Sequence, residues 1–134
     1  MKYFKKLVGD RIYLAPKGAS DEEVEKFTEW MNDFQVTDYI GSSARMMTLN
    51  EEKEWLENVN KNNKNRNFNI IELNKDKLIG TISLENLNWT DRSATLGIFI
   101  GDKDYRNSGY GTEAIKLLLE YGFKYLNLHT IKLE

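Results

Sequence analysis

Cysteine is absent from this 134-residue chain, which excludes a disulfide framework, a thiolate metal site and a cysteine nucleophile. The single histidine, His129, argues against a histidine-rich metal site, and no metal is expected. Long hydrophobic runs are missing as well: the longest apolar stretches fall far short of the roughly 20 residues that span a bilayer. The N-terminus, with Lys2, Lys5 and Lys6, turns polar too soon for a signal peptide, so a cytoplasmic protein is expected, with no membrane partner. Neither sign of charge dominates. With 19 basic and 21 acidic residues the net charge is −2, and no global field draws nucleic acid. The seven tyrosines are too scattered for a base-stacking face. What is present, 40% hydrophobic and 30% charged residues, is the composition of one globular domain.

Local patterns place the elements. Arg11–Ala15 reads as a short strand ended by Pro16 and Gly18. Ser20 with Glu23, and Thr48 with Glu51, have capping-box spacing, each followed by apolar residues at helical intervals. Between these helices, Asn32 to Met47 is an irregular stretch, long enough to suggest a functional loop or an extra helical turn. Lys61–Asn67 reads as a solvated loop. Phe68–Leu73, Lys77–Glu85 and Ser93–Gly101 read as three antiparallel strands joined by the polar turns Asn74–Asp76 and Asn86–Arg92. A helix then opens at Gly109 and stops near Asn127. His129–Leu133 is a last strand, parallel to Ser93–Gly101 through a right-handed crossover.

Arg106-Asn107-Ser108-Gly109-Tyr110-Gly111-Thr112 is the most informative segment. It follows a strand and begins a helix, whose N-terminus carries unpaired N–H groups and the positive end of the dipole. Glycines at 109 and 111 let a bulky anion reach the backbone, Arg106 offers charge and Thr112 a hydroxyl. From the residues alone three readings compete: a helix start with no ligand, a dinucleotide fingerprint, and an acyl-CoA loop. Gly109-x-Gly111-x-x-Ala114 formally matches the dinucleotide pattern, but Gly101–Ser108 separates it from the strand, and antiparallel hairpins precede it. No Walker motif occurs.

Arg106-x-x-Gly109-x-Gly111 resembles the R/Q-x-x-G-x-G/A motif of the GCN5-related N-acetyltransferases (GNAT). The resemblance extends to Arg11–Leu14, Glu29–Asp33, Leu78–Ile82 and Ser93–Tyr125, in the manner of the ribosomal-protein and spermidine acetyltransferase branch. It implies an α+β fold: a mixed, mostly antiparallel sheet with flanking helices and a splayed parallel strand pair. It further implies acetyl-CoA as co-substrate, with Ile98, Phe99 and Ile100 offering backbone groups to the pantetheine arm. Arg106, Asn107, Ser108, Gly109, Tyr110, Gly111 and Thr112 would hold the pyrophosphate. The activity implied is acetyl transfer to a primary amine by direct attack in a ternary complex. The alternative is a non-catalytic acyl-CoA-binding or interaction module.

An amine with a pKa of about 10 must shed a proton before it attacks. Glu85, Asp91 and Glu72 are the candidate bases, and Glu85 is favoured for its place at a strand end. Some polyamine-acetylating relatives carry an acid where Thr95 stands here, which weakens a polyamine assignment. The family's tyrosine acid lies in a segment N-x-x-A-x-x-x-Y-x-K-x-G-F that would follow the last strand and is absent before Glu134. Tyr105 and Tyr110 do not match its position, so no catalytic tyrosine is assigned. The expectation is a single domain over residues 1–134, lacking the family's C-terminal helix and strands, with weak CoA binding and little or no turnover. Uncovered, Ile131 and Leu133 would form an apolar edge that pairs with a second copy, a homodimer. Trp30, Asn32, Tyr39 and Trp89 are the candidate acceptor walls. A protein N-terminus, a polyamine, an aminoglycoside and an amino sugar all remain open as acceptors.

Substituting Gly111→Asp is expected to abolish acetyl-CoA binding, because the carboxylate repels the pyrophosphate and fills its space. Unchanged affinity by titration calorimetry would refute the loop assignment.

Overall fold

The computed structural model describes residues 3–40 and 46–133, with the side chains of residues 38–40 outside that description. Its elements run β1 (Leu7–Val8), β2 (Ile12–Pro16), α1 (Asp21–Met31), α2 (Phe34–Ile40), α3 (Leu49–Asn58), β3 (Arg66–Glu72), β4 (Lys77–Asn88), β5 (Ser93–Ile100), α4 (Tyr110–Glu120) and β6 (Thr130–Leu133). The six strands form one sheet in chain order, antiparallel except for the parallel pair β5–β6. This is the α+β sheet expected from the sequence. No helix among the described residues is long and apolar enough to cross a membrane.

Local sequence accounts for the helix starts. Ser20 and Thr48 each accept from the backbone N–H three residues on, and Glu23 and Glu51 return the bond. These caps satisfy donors that the first helical turn leaves unpaired. Of the two readings of the stretch between these helices, the extra helical turn holds: α2 occupies Phe34–Ile40, and residues 41–45, including Gly41, lie outside the described residues. Two other bounds moved. β4 continues past Glu85 to Asn88 because a bulge between Glu85 and Asn88, with Asn86 at φ 53°, carries the pairing onward. β1 is only two residues long and depends on its pairing with Tyr13 and Leu14, so no local pattern announces it.

Strand alternation divides the core between two faces. Ile12, Leu14, Ile70, Ile82, Leu84 and Leu96 pack with Ala114 and Leu118 of α4. Tyr13, Ala15, Ile71 and Leu78 pack with Phe27 and Trp30 of α1 and Leu56 of α3. The second face is closed at the end of β5 by a tight approach. Trp30 lies edge-on to Phe27 and Phe99, and its ring sits directly over Gly101. A Cβ at Gly101 would come within 2.1 Å of that ring. The end of β5, where the loop to α4 begins, is therefore seated on α1.

Gly101→Ala should cost about 1–3 kcal/mol by overpacking. Gly111→Ala, whose added Cβ meets only Ile98 at 3.8 Å, should change stability little. Urea unfolding midpoints of the two variants test this contrast; equal midpoints would contradict it.

Candidate active site

α4 begins differently from α1 and α3. Its N-cap is Gly109, at φ 86°, with no side-chain cap bond. That left-handed conformation suits glycine, and it leaves the first-turn N–H groups facing the space in front of the helix. A cleft of about 400 Å³ opens there. Its floor is Ile98, Phe99 and Ile100 of β5; Val36 of α2 forms one side; Tyr105, Arg106, Asn107, Gly109, Gly111 and Thr112 form the other. β6 pairs with Ser93–Leu96, so among the described residues the outer edge of Gly97–Ile100 has no strand partner. Ile98–Ile100 of that edge line the same cleft as Gly109, Gly111 and Thr112 at the head of α4.

The structure thus gathers the expected cofactor residues around one cleft, with two exceptions. Ser108 and Tyr110 turn toward Arg11: the Ser108 carbonyl accepts from Arg11 Nη1 at 2.9 Å, and the Tyr110 ring lies 4.2 Å from the guanidinium carbon. Arg106 borders the cleft and commits two of its five N–H donors to the end of β5. Its Nε donates to the Ile100 carbonyl and its Nη2 to the Gly101 carbonyl, both at 2.9 Å. This side chain braces the turn as β5 ends. Val36 and Tyr105 were absent from the expected cofactor set. Val36 reaches the cleft only because residues 34–40 are helical; Tyr105 is placed there by the short 3-10 turn Lys103–Tyr105.

Two further contacts hold the loop from outside. Lys77 Nζ pairs with Asp102 at 2.9 Å and lies 5.4 Å from the Tyr105 ring. Glu113, in the first turn of α4, accepts from the Arg11 and Ile12 backbone N–H groups and from Arg11 Nε. Burial pushes the Glu113 carboxyl up, but these bonds and the Arg11 charge outweigh it and hold the group below its ordinary value.

The other expected residues are more dispersed. Glu85 is half-buried on β4, with its carboxyl beside Gly97, one residue before the cleft floor, and it is not part of the cleft wall. Thr95 is its cross-strand partner. Asp91 is exposed in the β4–β5 turn, bonded to Asn88. Glu72 is buried and accepts from the Asn74 and Lys75 N–H groups, which occupies it in the β3–β4 turn. Trp30 is a core residue, 4% exposed, because Gly101 and Phe99 pack on it. Asn32 ties the end of α1 to the Met47 backbone through both amide atoms. Trp89 sits at the opposite end of the sheet, half-exposed under Arg66. The side chain of Tyr39 lies outside the described residues.

One buried group was not foreseen. Lys17 follows β2 directly, so its ammonium enters the α1–α3 face of the sheet, where the residue is only 6% exposed, and donates to Thr81 Oγ1 at 3.0 Å. It lies near the Phe27 and Trp55 rings. Burial lowers its pKa to about 8, against the opposing pull of Glu52, Glu23 and Glu85. Its only sequence signal is a lysine beyond a short apolar strand, which is also the signal of a surface residue.

Comparison with known proteins agrees with the loop motif. The Acetyltransferase (GNAT) domain family matches residues 11–134. A probable N-acetyltransferase of Bacillus subtilis, YjcK, is 30% identical over 94% of this chain and 72% of its own length. YnaD, an uncharacterized N-acetyltransferase of the same organism, is 33% identical over 77% of this chain, which spans 58% of that protein. Among solved structures, a spermidine N-acetyltransferase from Vibrio cholerae, in complex with CoA and spermine, superposes with a TM-score of 0.76 at 22% identity. That match covers 93% of this chain and 71% of the other.

The Lys17 burial has a pH signature. Between about pH 8 and pH 10 the unfolded chain keeps a proton on Lys17 that the folded chain releases, so stability rises with pH. Above about pH 10 the trend reverses, because Tyr3 and Tyr13, raised by burial and by their bonds to Glu22 and Asp76, ionise first in the unfolded chain. Urea unfolding should show a gain of roughly 1–2 kcal/mol between neutral pH and the maximum. Lys17→Met should flatten the rise; an equal rise in that variant would assign it to another group.

Proposed function

Because the chain belongs to the GNAT acetyltransferase family, we propose that it transfers the acetyl group of acetyl-CoA to a primary amine by direct attack in a ternary complex. The observation that carries the proposal is the conjunction at the cleft. The uncapped N-terminus of α4 and the unpaired edge of Gly97–Ile100 open onto the same space. Helix-end N–H groups suit a pyrophosphate, and an open strand edge suits the amides of a pantetheine arm. At Gly111 the nearest atom to an added Cβ is Ile98 Cδ1 at 3.8 Å, so a ligand reaches the helix backbone closely there.

In this reading a backbone N–H of the β5 edge stabilises the oxyanion as the amine nitrogen bonds to the thioester carbon. Glu85, acting through water, first takes the ammonium proton so that the neutral amine can attack, and the second proton on nitrogen leaves to solvent from the tetrahedral intermediate. The carbon–sulfur bond then breaks, and the sulfur leaves as thiolate and is protonated by solvent. An amine is the acceptor class; the Vibrio relative's spermine and spermidine are members of that class. Because Glu85 stands outside the cleft wall, a second reading is carried alongside: an acyl-CoA-binding module that does not transfer.

Thermal unfolding with acetyl-CoA, with NADH as control, tests the site. At about 100 times its dissociation constant a ligand stabilises by roughly 2.7 kcal/mol, a midpoint rise of several degrees. A rise with acetyl-CoA alone is expected; no rise, or an equal rise with NADH, overturns the assignment. Free thiol release with an added polyamine, peptide or amino sugar is expected for the transferase. Binding without thiol release across such acceptors selects the second reading.

A further inference from the structure

We propose that Arg11 and Glu113, both outside the Arg106–Gly111 motif, position the glycine loop for its anion, with Arg11 cancelling a carboxylate that would otherwise oppose the phosphates. The inference rests on the acyl-CoA reading of the cleft.

Glu113 stands in the first turn of α4. A carboxylate there is ordinarily favourable to a helix. At this helix it shares the N-terminal end with the expected pyrophosphate, and the two negative charges compete for the same field. The structure removes the conflict through a residue about a hundred positions away. Glu113 Oε2 accepts from Arg11 N at 2.9 Å and Ile12 N at 3.2 Å, and Oε1 accepts from Arg11 Nε at 3.1 Å. The turn before β2 is shaped around this carboxylate: a Cβ on Gly9 would lie 2.5 Å from Oε2. The guanidinium then reaches past Glu113 to the loop. Nη1 donates to the Ser108 carbonyl at 2.9 Å and the guanidinium carbon lies 4.2 Å from the Tyr110 ring centre. One side chain therefore grips the residues on both sides of Gly109, the position with no cap of its own.

An exposed ion pair by itself contributes little to stability. Here the acid is fixed by two backbone N–H groups as well, so removing the Arg11 charge leaves the carboxylate in place at the loop. The consequence falls on anion binding more than on folding.

Titration calorimetry with CoA and with dephospho-CoA, which lacks the 3′-phosphate, tests the proposal in wild type, Arg11→Gln and Arg11→Gln/Glu113→Gln. Arg11→Gln is expected to weaken both ligands about tenfold, equivalent to about 1.4 kcal/mol. The second substitution should restore most of that loss, a non-additive result that simple damage to the fold would not produce. Arg11→Lys, which keeps the charge, should lose less than Arg11→Gln and serves the comparison if the latter unfolds. Unchanged affinity in Arg11→Gln overturns the proposal, as does a double variant no better than the single. A loss confined to CoA also overturns it, by making Arg11 a direct 3′-phosphate contact. If wild type binds neither ligand, the acyl-CoA reading fails, and the inference falls with it.

Discussion

An open helix end is the constraint on which this site depends. The first-turn N–H groups of α4 can face an anion only if no side chain of their own helix caps them, and Gly109 ensures that. An uncapped, glycine-containing loop is also poorly determined by its own residues. Its shape must come from elsewhere, and the structure supplies three supports. Arg106 fastens the turn to the Ile100 and Gly101 carbonyls. Lys77 at the start of β4 holds Asp102. Arg11 at the start of β2 holds Glu113 and the Ser108 carbonyl. Two of these supports, Lys77 and Arg11, come from neighbouring strands, so the loop is held without a side-chain cap on α4.

The sheet serves this arrangement with two unlike faces. The α4 face is apolar, which lets the long helix seat its Ala114 and Leu118 side in full contact. The α1–α3 face mixes apolar packing with a polar stripe of Asn69, Thr81, Lys17 and Glu23. Burying such groups is costly unless they are bonded to one another. The structure meets that condition for most of them. Thr81 accepts from Lys17 and donates to the Phe68 carbonyl; Glu23 accepts from the Gly18 and Ser20 N–H groups and from Asn69. Among the described residues, Asn69 Oδ1 has no hydrogen-bond partner. The stripe lies on the face shared by Glu85, so the charge beneath the proposed acceptor side is set by buried residues as much as by the surface.

What could be read from the residues was local or periodic. Ser20 and Thr48 were legible as helix starts because a capping box closes within four residues. The three antiparallel strands were legible because their turns are short and polar. α2 was legible only as one of two alternatives, an extra helical turn, because Phe34–Ile40 has little periodicity. Trp30 was named as a candidate acceptor wall, although aromatics usually fill cores. Only the glycine at 101, far away in sequence and directly under its ring, places it in the core.

The sequence by itself determined the order strand, helix, helix, three antiparallel strands, helix, strand, without β1 and α2, and it determined the glycine loop at the head of α4. Each follows from neighbours a few residues apart, and the family resemblance rests on that same loop. Tertiary structure alone decided that Lys17 is buried, that Arg106 braces rather than points outward, and that Arg11 meets Glu113 across most of the chain. These are contacts between charged residues, whose local pattern is the same on a surface as in a built site. Charge in a sequence tells what a side chain can pair with; only the fold tells which partner is within reach.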